Sequence, residues 1–169
     1  MLTGQRANEI GALRWDEVSD EQILLPAQRT KNGRQHIVPL NDVAKDIFAK
    51  VSSKDRTYVF GRDDSGFQGW SKAKAKIDAR TADGKKPLAH WTPHDLRRTV
   101  ATRMAELGVQ PHIVEAVLNH VSGHKSGVAG IYNRATYDKE KREALNFWAE
   151  HLLAVVEGRA ATVVPLKRA

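Results

Sequence analysis

The sequence predicts a mainly α-helical domain with a small antiparallel β-sheet. Apolar residues recur at helical spacing along much of the chain, and two short apolar runs flank Asn32-Gly33, a strong hairpin signal. Capping residues, prolines and glycines stand where the helices would begin and end. The 169 residues, 41% of them hydrophobic, are enough for one hydrophobic core.

The first part of the chain indicates a helix followed by a hairpin. Ile10 and Leu13 lie at helical spacing, which predicts a helix over residues 6–15. Residues 22–26 and 35–39 are predicted to pair as two strands, with the tip of the hairpin formed by Lys31, Asn32 and Gly33.

A second helix is predicted after this hairpin, and a short strand after the helix. Asn41 is a suitable N-cap for a helix with one apolar face, made of Val43, Ile47, Phe48 and Val51. Residues 58–60 have the composition of a strand.

The middle of the chain predicts a basic helix and then a helix that begins at a proline. Residues 70–80 form the basic helix, with Trp70, Ala73 and Ile77 expected to face inward. Pro93 begins the next helix, which is expected to end at Gly108.

Three more helices are expected in the last third of the chain. Pro111 begins the first, and a short second helix would hold Ile131 and Tyr132. Asp138 is predicted to cap the last one, which ends at Gly158 and has an apolar stripe of Leu145, Trp148, Leu152 and Val155. Residues 1–158 are then one domain, and residues 159–169 a mobile tail.

Several classes of protein are disfavoured by what the sequence lacks. No apolar run approaches the ~18 residues of a membrane span, no signal peptide is recognisable, and the absence of cysteine suits a cytoplasmic protein. Phosphate-loop, zinc-protease, nucleophile-elbow and dinucleotide motifs are missing, which disfavours nucleotide hydrolysis and hydride transfer. The histidines lack carboxylates at ligand spacing, so neither a metal site nor a cofactor is expected; those considered are His90, His94, His120 and His124.

Positive charge is concentrated in the middle of the chain. The formal net charge is +7, and residues 65–103 hold nine basic and three acidic side chains. Such a segment is either a solvated helix face or a surface for nucleic acid, and the concentration favours nucleic acid. The predicted DNA-contacting residues are Lys72, Lys74, Lys76, Arg80, Lys85, Lys86 and Arg98.

One pair of residues within this segment could bind a phosphate group. His94 and Arg97 are three positions apart and so share one face of a helix. An arginine fork matches two phosphate oxygens, and a neighbouring histidine can donate a hydrogen bond or move a proton. Taken alone, such a pair is most often part of a solvated helix face.

The order of motifs along the chain is more specific than this pair. The motifs are TGQRANEIGALRW from Thr3, RTKNGRQHIVPL from Arg29, TPHDLRRTVA from Thr92, LNH from Leu118 and GIYNRATY from Gly130. In this order they closely resemble the catalytic domain of tyrosine recombinases of the phage integrase family. The resemblance extends from about residue 5 to residue 153 and implies the fold of that DNA breaking-rejoining domain.

The resemblance implies site-specific DNA recombination, in which a tyrosine cuts and rejoins a strand through a 3′-phosphotyrosyl link without a metal. The residues that match the family motifs are Arg6 and Arg97 as clamps of the scissile phosphate, His94 and His120 as further donors, Lys31 as the acid for the departing 5′ oxygen, Tyr132 as the nucleophile and Glu9 as a supporting residue. The implied partners are double-stranded DNA with an attachment-type site and other recombinase subunits on it.

Several alternatives stay open at this point. Arg29 and Arg34 compete with Lys31, His124 with His120 and Tyr137 with Tyr132, and Arg6 could merely pair with Glu9. The function could instead be DNA relaxation of the type IB topoisomerase kind, or DNA binding without catalysis.

The resemblance also leads to expectations about completeness and assembly. The family places further helices before the first arginine, so we expect the chain to be an amino-terminally truncated piece. Trp148, Leu152 and Val155 could dock onto a neighbouring subunit or complete the domain's own core. The second option is favoured, so a monomer is expected in the absence of DNA.

Overall fold

A computed structural model describes residues 1–51, 56–61, 65–83, 86–120 and 135–160. Within these ranges the chain forms six α-helices and one two-stranded antiparallel sheet, so the predicted fold class is confirmed. No helix in the same ranges is long and apolar enough to cross a membrane. The helices are α1 Ala7–Gly11, α2 Asp42–Ala49, α3 Trp70–Ala82, α4 Pro93–Glu106, α5 Pro111–Val117 and α6 Asp138–Glu157, and the strands are β1 Gln22–Leu25 and β2 His36–Pro39.

The predicted hairpin is confirmed, although its connection is longer than a tight turn. Gln22 pairs with Pro39 and Leu25 with His36, so the two strands are in full register. Residues 26–35 connect them and include a 3₁₀ turn, Ala27–Arg29. The residues that follow the 3₁₀ turn in this connection include Lys31 and Asn32.

The first helix is shorter than predicted, because the chain after it bonds elsewhere. The apolar spacing predicts a helix that continues to Trp15, but α1 ends at Gly11. The Leu13 carbonyl instead accepts the Val59 N–H at 2.8 Å, and the Trp15 N–H donates to the Thr57 carbonyl at 3.1 Å. Backbone groups engaged in these long-range bonds cannot also continue a helical ladder.

The strand predicted at residues 58–60 was wrong. The segment makes one isolated antiparallel bridge, between Arg14 and Tyr58, and its Val59 is fully buried. Val59 belongs to the hydrophobic core and Phe60 packs against it, which accounts for the apolar, strand-like composition. A full strand would require a continuous partner.

Helix α2 has the predicted N-cap, whereas helix α3 is more exposed than predicted. Asn41 caps α2 as predicted, because its Oδ1 accepts the Ala44 N–H at 2.9 Å. In α3, Trp70 and Ala73 are half-buried, whereas Ile77 is 45% exposed. The expectation that Ile77 faces inward was therefore wrong, and α3 lies on the surface with no fully buried residue.

The core of the domain lies between the sheet, α4, α5 and α6. Val100 and Met104 of α4 are fully buried and form part of the same hydrophobic cluster as Leu145 and Trp148 of α6. Helix α4 begins at Pro93, α5 begins at Pro111 and α6 ends before Gly158 at φ 66°, each as predicted. These contacts place the first turn of α4 and the end of α5 beside the hairpin.

Two details of α6 differ from the prediction. Its N-cap is Tyr137, in the left-handed conformation, and Asp138 is the first helical residue. The predicted apolar stripe is not buried along its whole length, because Trp148 lies in the core whereas Val155 is 64% exposed. The short helix predicted around Tyr132 and most of the predicted tail, residues 161–169, lie outside the described residues.

Candidate active site

An open cleft of about 530 Å³ brings together residues that are far apart in the sequence. It is bounded by the first turn of α1, the connection between β1 and β2, and the first turn of α4. Four of the six predicted catalytic residues and the predicted supporting residue line it, namely Arg6, Lys31, His94, Arg97 and Glu9.

Arg6 is held in this cleft by Glu9. The Glu9 carboxylate accepts the Arg6 backbone N–H at 3.0 Å and the Arg6 Nη1 at 2.8 Å. Glu9 is buried, whereas the Arg6 side chain keeps 21% of its surface exposed. The simple pairing of Arg6 with Glu9 is therefore present, and it fixes the guanidinium at the cleft wall.

Arg97 is the most deeply buried cation of the cleft. It is 7% exposed, and its guanidinium donates to the Gly4 carbonyl at 2.8 Å and to the Leu118 carbonyl. These bonds tie α4 to the segment before α1 and to the end of α5. Because a guanidinium has five N–H donors, the two bonds leave donors available to a ligand.

The two guanidinium groups affect each other electrostatically. Burial and then the charge of Arg6 lower the pKa of Arg97 to about 10, and Glu9 partly opposes the shift. Arg97 nevertheless stays protonated at neutral pH. Two like charges directed into one cleft disfavour each other, and an anion bound between them would relieve that repulsion.

The structure separates Lys31 from its two competitors. The Arg29 guanidinium contacts the Glu17 carboxylate and donates to the Glu9 carbonyl at 2.7 Å, so it braces the wall of the cleft. Lys31 is exposed and lines the cleft, whereas Arg34 is exposed and is not part of that lining. Of the three cations, Lys31 is the one that is both exposed and part of the cleft lining.

His94 enters the cleft from the first turn of α4. Pro93 is the first residue of this helix, and Asp95 accepts the Thr92 N–H at 2.9 Å to close its amino end. His94 itself is exposed at the cleft surface. The partial positive charge of a helix amino terminus adds to that of the cationic side chains beside it.

His120 and the tyrosines have different positions. His120 is exposed just after α5, and the residues that line the cleft do not include it. Tyr132 and His124, the competitor of His120, lie outside the described residues. The rival Tyr137 is half-buried, with its ring centroid 5.2 Å from that of His112, and it packs against the core.

The carbonyl groups at the end of α5 connect the parts of the cleft. The Val117 carbonyl accepts Nε2 of Gln5 at 2.8 Å and lies 3.1 Å from Nε2 of His36. The Asn119 carbonyl accepts Nδ2 of Asn32 at 3.1 Å. Gln5, His36 and Asn119 were not predicted as site residues, and the one available signal was that each lies within one of the quoted motifs.

His36 is expected to make folding stability depend on pH. Burial, with a contribution from Lys141, lowers the pKa of His36 from 6.5 to about 4, while the Val117 carbonyl and Glu9 oppose the shift. Between these pH values the unfolded chain binds a proton that the folded chain does not. The free energy of unfolding should therefore fall as the pH decreases from 6.5 to 4, by about 3 kcal/mol in full.

Chemical denaturation at pH 7.5 and pH 5 tests this expectation against His36→Gln. Glutamine keeps an N–H donor for the Val117 carbonyl but does not titrate. The variant should lose less stability between the two pH values than the original chain. Equal losses would contradict the assignment.

The basic segment presents an exposed row of cations. Lys72, Lys76 and Arg80 are exposed on α3 and spaced four residues apart, so they share one helix face. Lys74 is different, because its Nζ lies 2.5 Å from the Asp78 carboxylate and 5.0 Å from the Trp91 ring centroid.

The other predicted DNA-binding residues follow α3 in the chain. Lys86 is exposed, and Arg98 is 74% exposed with its Nη1 3.5 Å from the Asp95 carboxylate. Lys85 lies outside the described residues. Among the residues that the structure covers, no group of three histidine, aspartate or glutamate side chains could hold a metal ion.

Comparison with known proteins decides the family. The sequence model of the phage integrase family matches residues 1–139. The chain belongs to the phage integrase family. The resemblance seen in the ordered motifs is thereby confirmed.

Relatives of this integrase family member include prophage, phage and archaeal proteins. It is 31% identical to prophage integrase IntA and 29% identical to prophage integrase IntZ, both of Escherichia coli K12, over 94% and 98% of its length. It is 26% identical to tyrosine recombinase XerA of Pyrococcus horikoshii over 84% of its length. It spans 38% of IntA, 40% of IntZ and 50% of XerA.

A solved structure has the same fold. The Tn1549 transposon integrase, determined in complex with circular intermediate DNA, matches 83% of this chain with a TM-score of 0.54 and 20% identity. The match covers 53% of that chain. The helical domain with its small sheet is therefore an integrase fold.

Proposed function

We propose that this chain is the catalytic part of a site-specific DNA recombinase that cleaves and rejoins one strand through Tyr132. The observation that carries the proposal is the cleft in which Arg6 and Arg97 converge with His94 and Lys31. Family membership supports the same reaction, since relatives are named as integrases and as a tyrosine recombinase.

The reaction is a transfer of a phosphodiester from one oxygen to another. The Tyr132 hydroxyl loses its proton to solvent and its oxygen forms a bond to the scissile phosphorus. The bond from phosphorus to the 5′ oxygen breaks, and that oxygen receives a proton from the Lys31 ammonium. The products are a 3′-phosphotyrosyl link and a free 5′ hydroxyl, and attack by a 5′ hydroxyl reverses the steps without ATP.

The cationic cleft would stabilise the transition state of this transfer. Negative charge grows on the oxygens of the phosphoryl group, and preorganised donors directed at them lower the barrier. Arg6 is held by Glu9 and Arg97 by two carbonyls, so both guanidinium groups are in place before the phosphate arrives. His94 and His120 are proposed as further donors to the same phosphate.

Double-stranded DNA is the proposed substrate, bound together with other subunits of the recombinase. The exposed row of Lys72, Lys76 and Arg80 would bind the DNA backbone, together with Lys85, Lys86 and Arg98. Lys74 is a weaker candidate than the sequence suggested, because Asp78 already balances its charge. The Tn1549 integrase was determined in complex with DNA, which supports DNA as the kind of partner.

DNA affinity is expected to depend strongly on salt and on this row. Replacing Lys72, Lys76 and Arg80 together with glutamine should reduce the slope of log affinity against log salt by about 0.9 for each phosphate that the variant no longer neutralises. Fluorescence anisotropy between 50 and 200 mM salt, roughly the range where such charges matter, measures the slope. Lys139→Gln, an exposed change on α6, is the control, and equal slopes in all three proteins would contradict the proposed surface.

Covalent adduct formation tests the proposed reaction directly. A suicide DNA substrate that loses its 5′ fragment after cleavage traps the protein on the 3′ end, and the adduct is resolved on a denaturing gel. Because the relatives are longer, the assay uses the 169-residue chain and any longer natural protein that contains it. DNA binding with no adduct in either would contradict the proposal and favour a DNA-binding module without catalysis.

A further inference from the structure

The connection that carries Lys31 is attached to the end of α5 by a pair of asparagines. Asn32 Nδ2 donates to the Asn119 side-chain Oδ1 at 2.8 Å and to its backbone carbonyl at 3.1 Å. In the opposite direction, Asn119 Nδ2 donates to Asn32 Oδ1 at 3.3 Å. The two residues are 87 positions apart, so the contact joins separate parts of the domain.

The backbone conformation of Asn119 favours glycine, which indicates that the asparagine side chain has a role of its own. Its φ is 50°, in the left-handed region where glycine is the least strained residue and asparagine is tolerated. Glycine at this position would satisfy the backbone alone. Asparagine adds the amide that reaches the residue directly after Lys31.

Within the connection, Asn32 also organises the turn itself. Its Oδ1 accepts the Arg34 N–H at 3.2 Å, and Thr30 Oγ1 donates to the Arg34 carbonyl at 2.7 Å. The turn is therefore an ordered unit from Thr30 to Arg34. Lys31 itself is exposed, so its position depends on where this unit is anchored.

We infer that the Asn32–Asn119 pair is a positioning pair that anchors the Lys31 turn to the end of α5 and sets the place of Lys31 in the cleft. The inference rests on the proposed function, in which Lys31 protonates the departing 5′ oxygen. The same helix end accepts hydrogen bonds from Gln5, His36 and Arg97. The end of α5 therefore holds both the turn of the proposed proton donor, Lys31, and the proposed phosphate clamp, Arg97.

A spin label reports the anchoring without any need for activity. The chain contains no cysteine, so Lys31→Cys can be labelled at a single site with a nitroxide. Adding Asn32→Ala or Asn119→Gly should make the label more mobile than it is in Lys31→Cys alone. Gln35→Ala, an exposed change in the same connection, should leave the spectrum as it was. Equal mobility in all four labelled proteins would overturn the inference.

The effect of Asn32 on proton transfer can be distinguished from a general structural defect by changing the leaving group of the substrate. With an ordinary DNA substrate, Asn32→Ala should slow adduct formation by about tenfold, because a displaced acid protonates the leaving oxygen less often. A 5′-phosphorothiolate substrate has a sulfur leaving group that needs no acid, so it should restore the rate of Asn32→Ala as it does that of Lys31→Ala. A defect of equal size on both substrates would overturn the positioning role.

The double variant separates the pair from the turn. Asn32→Ala also removes the bond to the Arg34 N–H, whereas Asn119→Gly leaves that bond intact. If the two asparagines act through their contact, the double variant should be no slower than Asn32→Ala alone. A double variant whose rate of adduct formation is reduced by the product of the two single reductions would overturn the inference. If neither the 169-residue chain nor a longer natural protein that contains it forms adduct on either substrate, the proposed function fails and the positioning role with it. The spin label still decides the anchoring in that case.

Discussion

Tyr132→Phe is expected to abolish the covalent adduct while leaving DNA affinity nearly unchanged. The substitution removes one oxygen, and that oxygen forms the bond to phosphorus in the proposed reaction. Loss of a nucleophile typically costs several orders of magnitude in rate, about 10⁴-fold or more. The proposed cations bind the phosphate and the DNA backbone without this oxygen, so affinity measured by anisotropy should be retained.

Tyr137→Phe is the matched control for this prediction. Tyr137 is the other tyrosine considered for the role, and its ring packs beside His112. We expect its variant to form adduct at close to the original rate. Adduct that survives in Tyr132→Phe and disappears in Tyr137→Phe would transfer the nucleophile to Tyr137, and mass spectrometry of the trapped peptide would identify it independently.

Arg97→Ala is expected to damage both cleavage and folding. Removal of one preorganised donor to a developing oxyanion typically costs about 10²-fold or more in rate. The structure adds a second cost, because the carbonyls of Gly4 and Leu118 lose the donor that satisfies them in a buried place. We expect the free energy of unfolding to fall by about 3 kcal/mol.

The two effects are measured separately. Denaturant unfolding followed by tryptophan fluorescence gives the stability, and adduct formation is then compared at equal concentrations of folded protein. Arg97→Lys keeps the positive charge, but a single ammonium does not reproduce the guanidinium fork, so its adduct rate should also remain low.

Arg103→Ala is the control for Arg97→Ala on the same helix. Arg103 is exposed and paired with Glu106 at 2.7 Å, an interaction that contributes little to stability. We expect both the stability and the adduct rate to stay close to the original values. Original adduct rates in folded Arg97→Ala would remove Arg97 from the proposed site.

Local features of the sequence were sufficient for most of the helices. Pro93 and Pro111 begin α4 and α5, and Asn41 caps α2, because each of these residues acts on its own first turn. The hairpin was predictable for a similar reason, since two apolar runs and a turn signal lie within one short stretch. The order of the motifs was enough for the family, because it depends on residue types and their sequence alone and needs no coordinates.

The errors occurred where distant segments compete for the same groups. Helix α1 ends early because Leu13 and Trp15 form backbone hydrogen bonds with Val59 and Thr57. Ile77 is 45% exposed, although its helical spacing predicts an inward position. No local pattern indicates a partner that lies so far along the chain. The hydrogen bonds between Asn32 and Asn119 could not be predicted for the same reason, because the two residues belong to different motifs and are 87 positions apart.

The sequence by itself therefore determined the candidate site residues, their order along the chain, and most of the helices and the hairpin around them. Only the tertiary structure decided that Arg6, Lys31, His94 and Arg97 share one cleft, that Arg29 braces its wall, and that Lys74 is already paired. The physical reason is that caps, turns and periodicity depend on neighbours within a few residues. Burial, charge balance and the satisfaction of carbonyl groups depend instead on the whole packed domain.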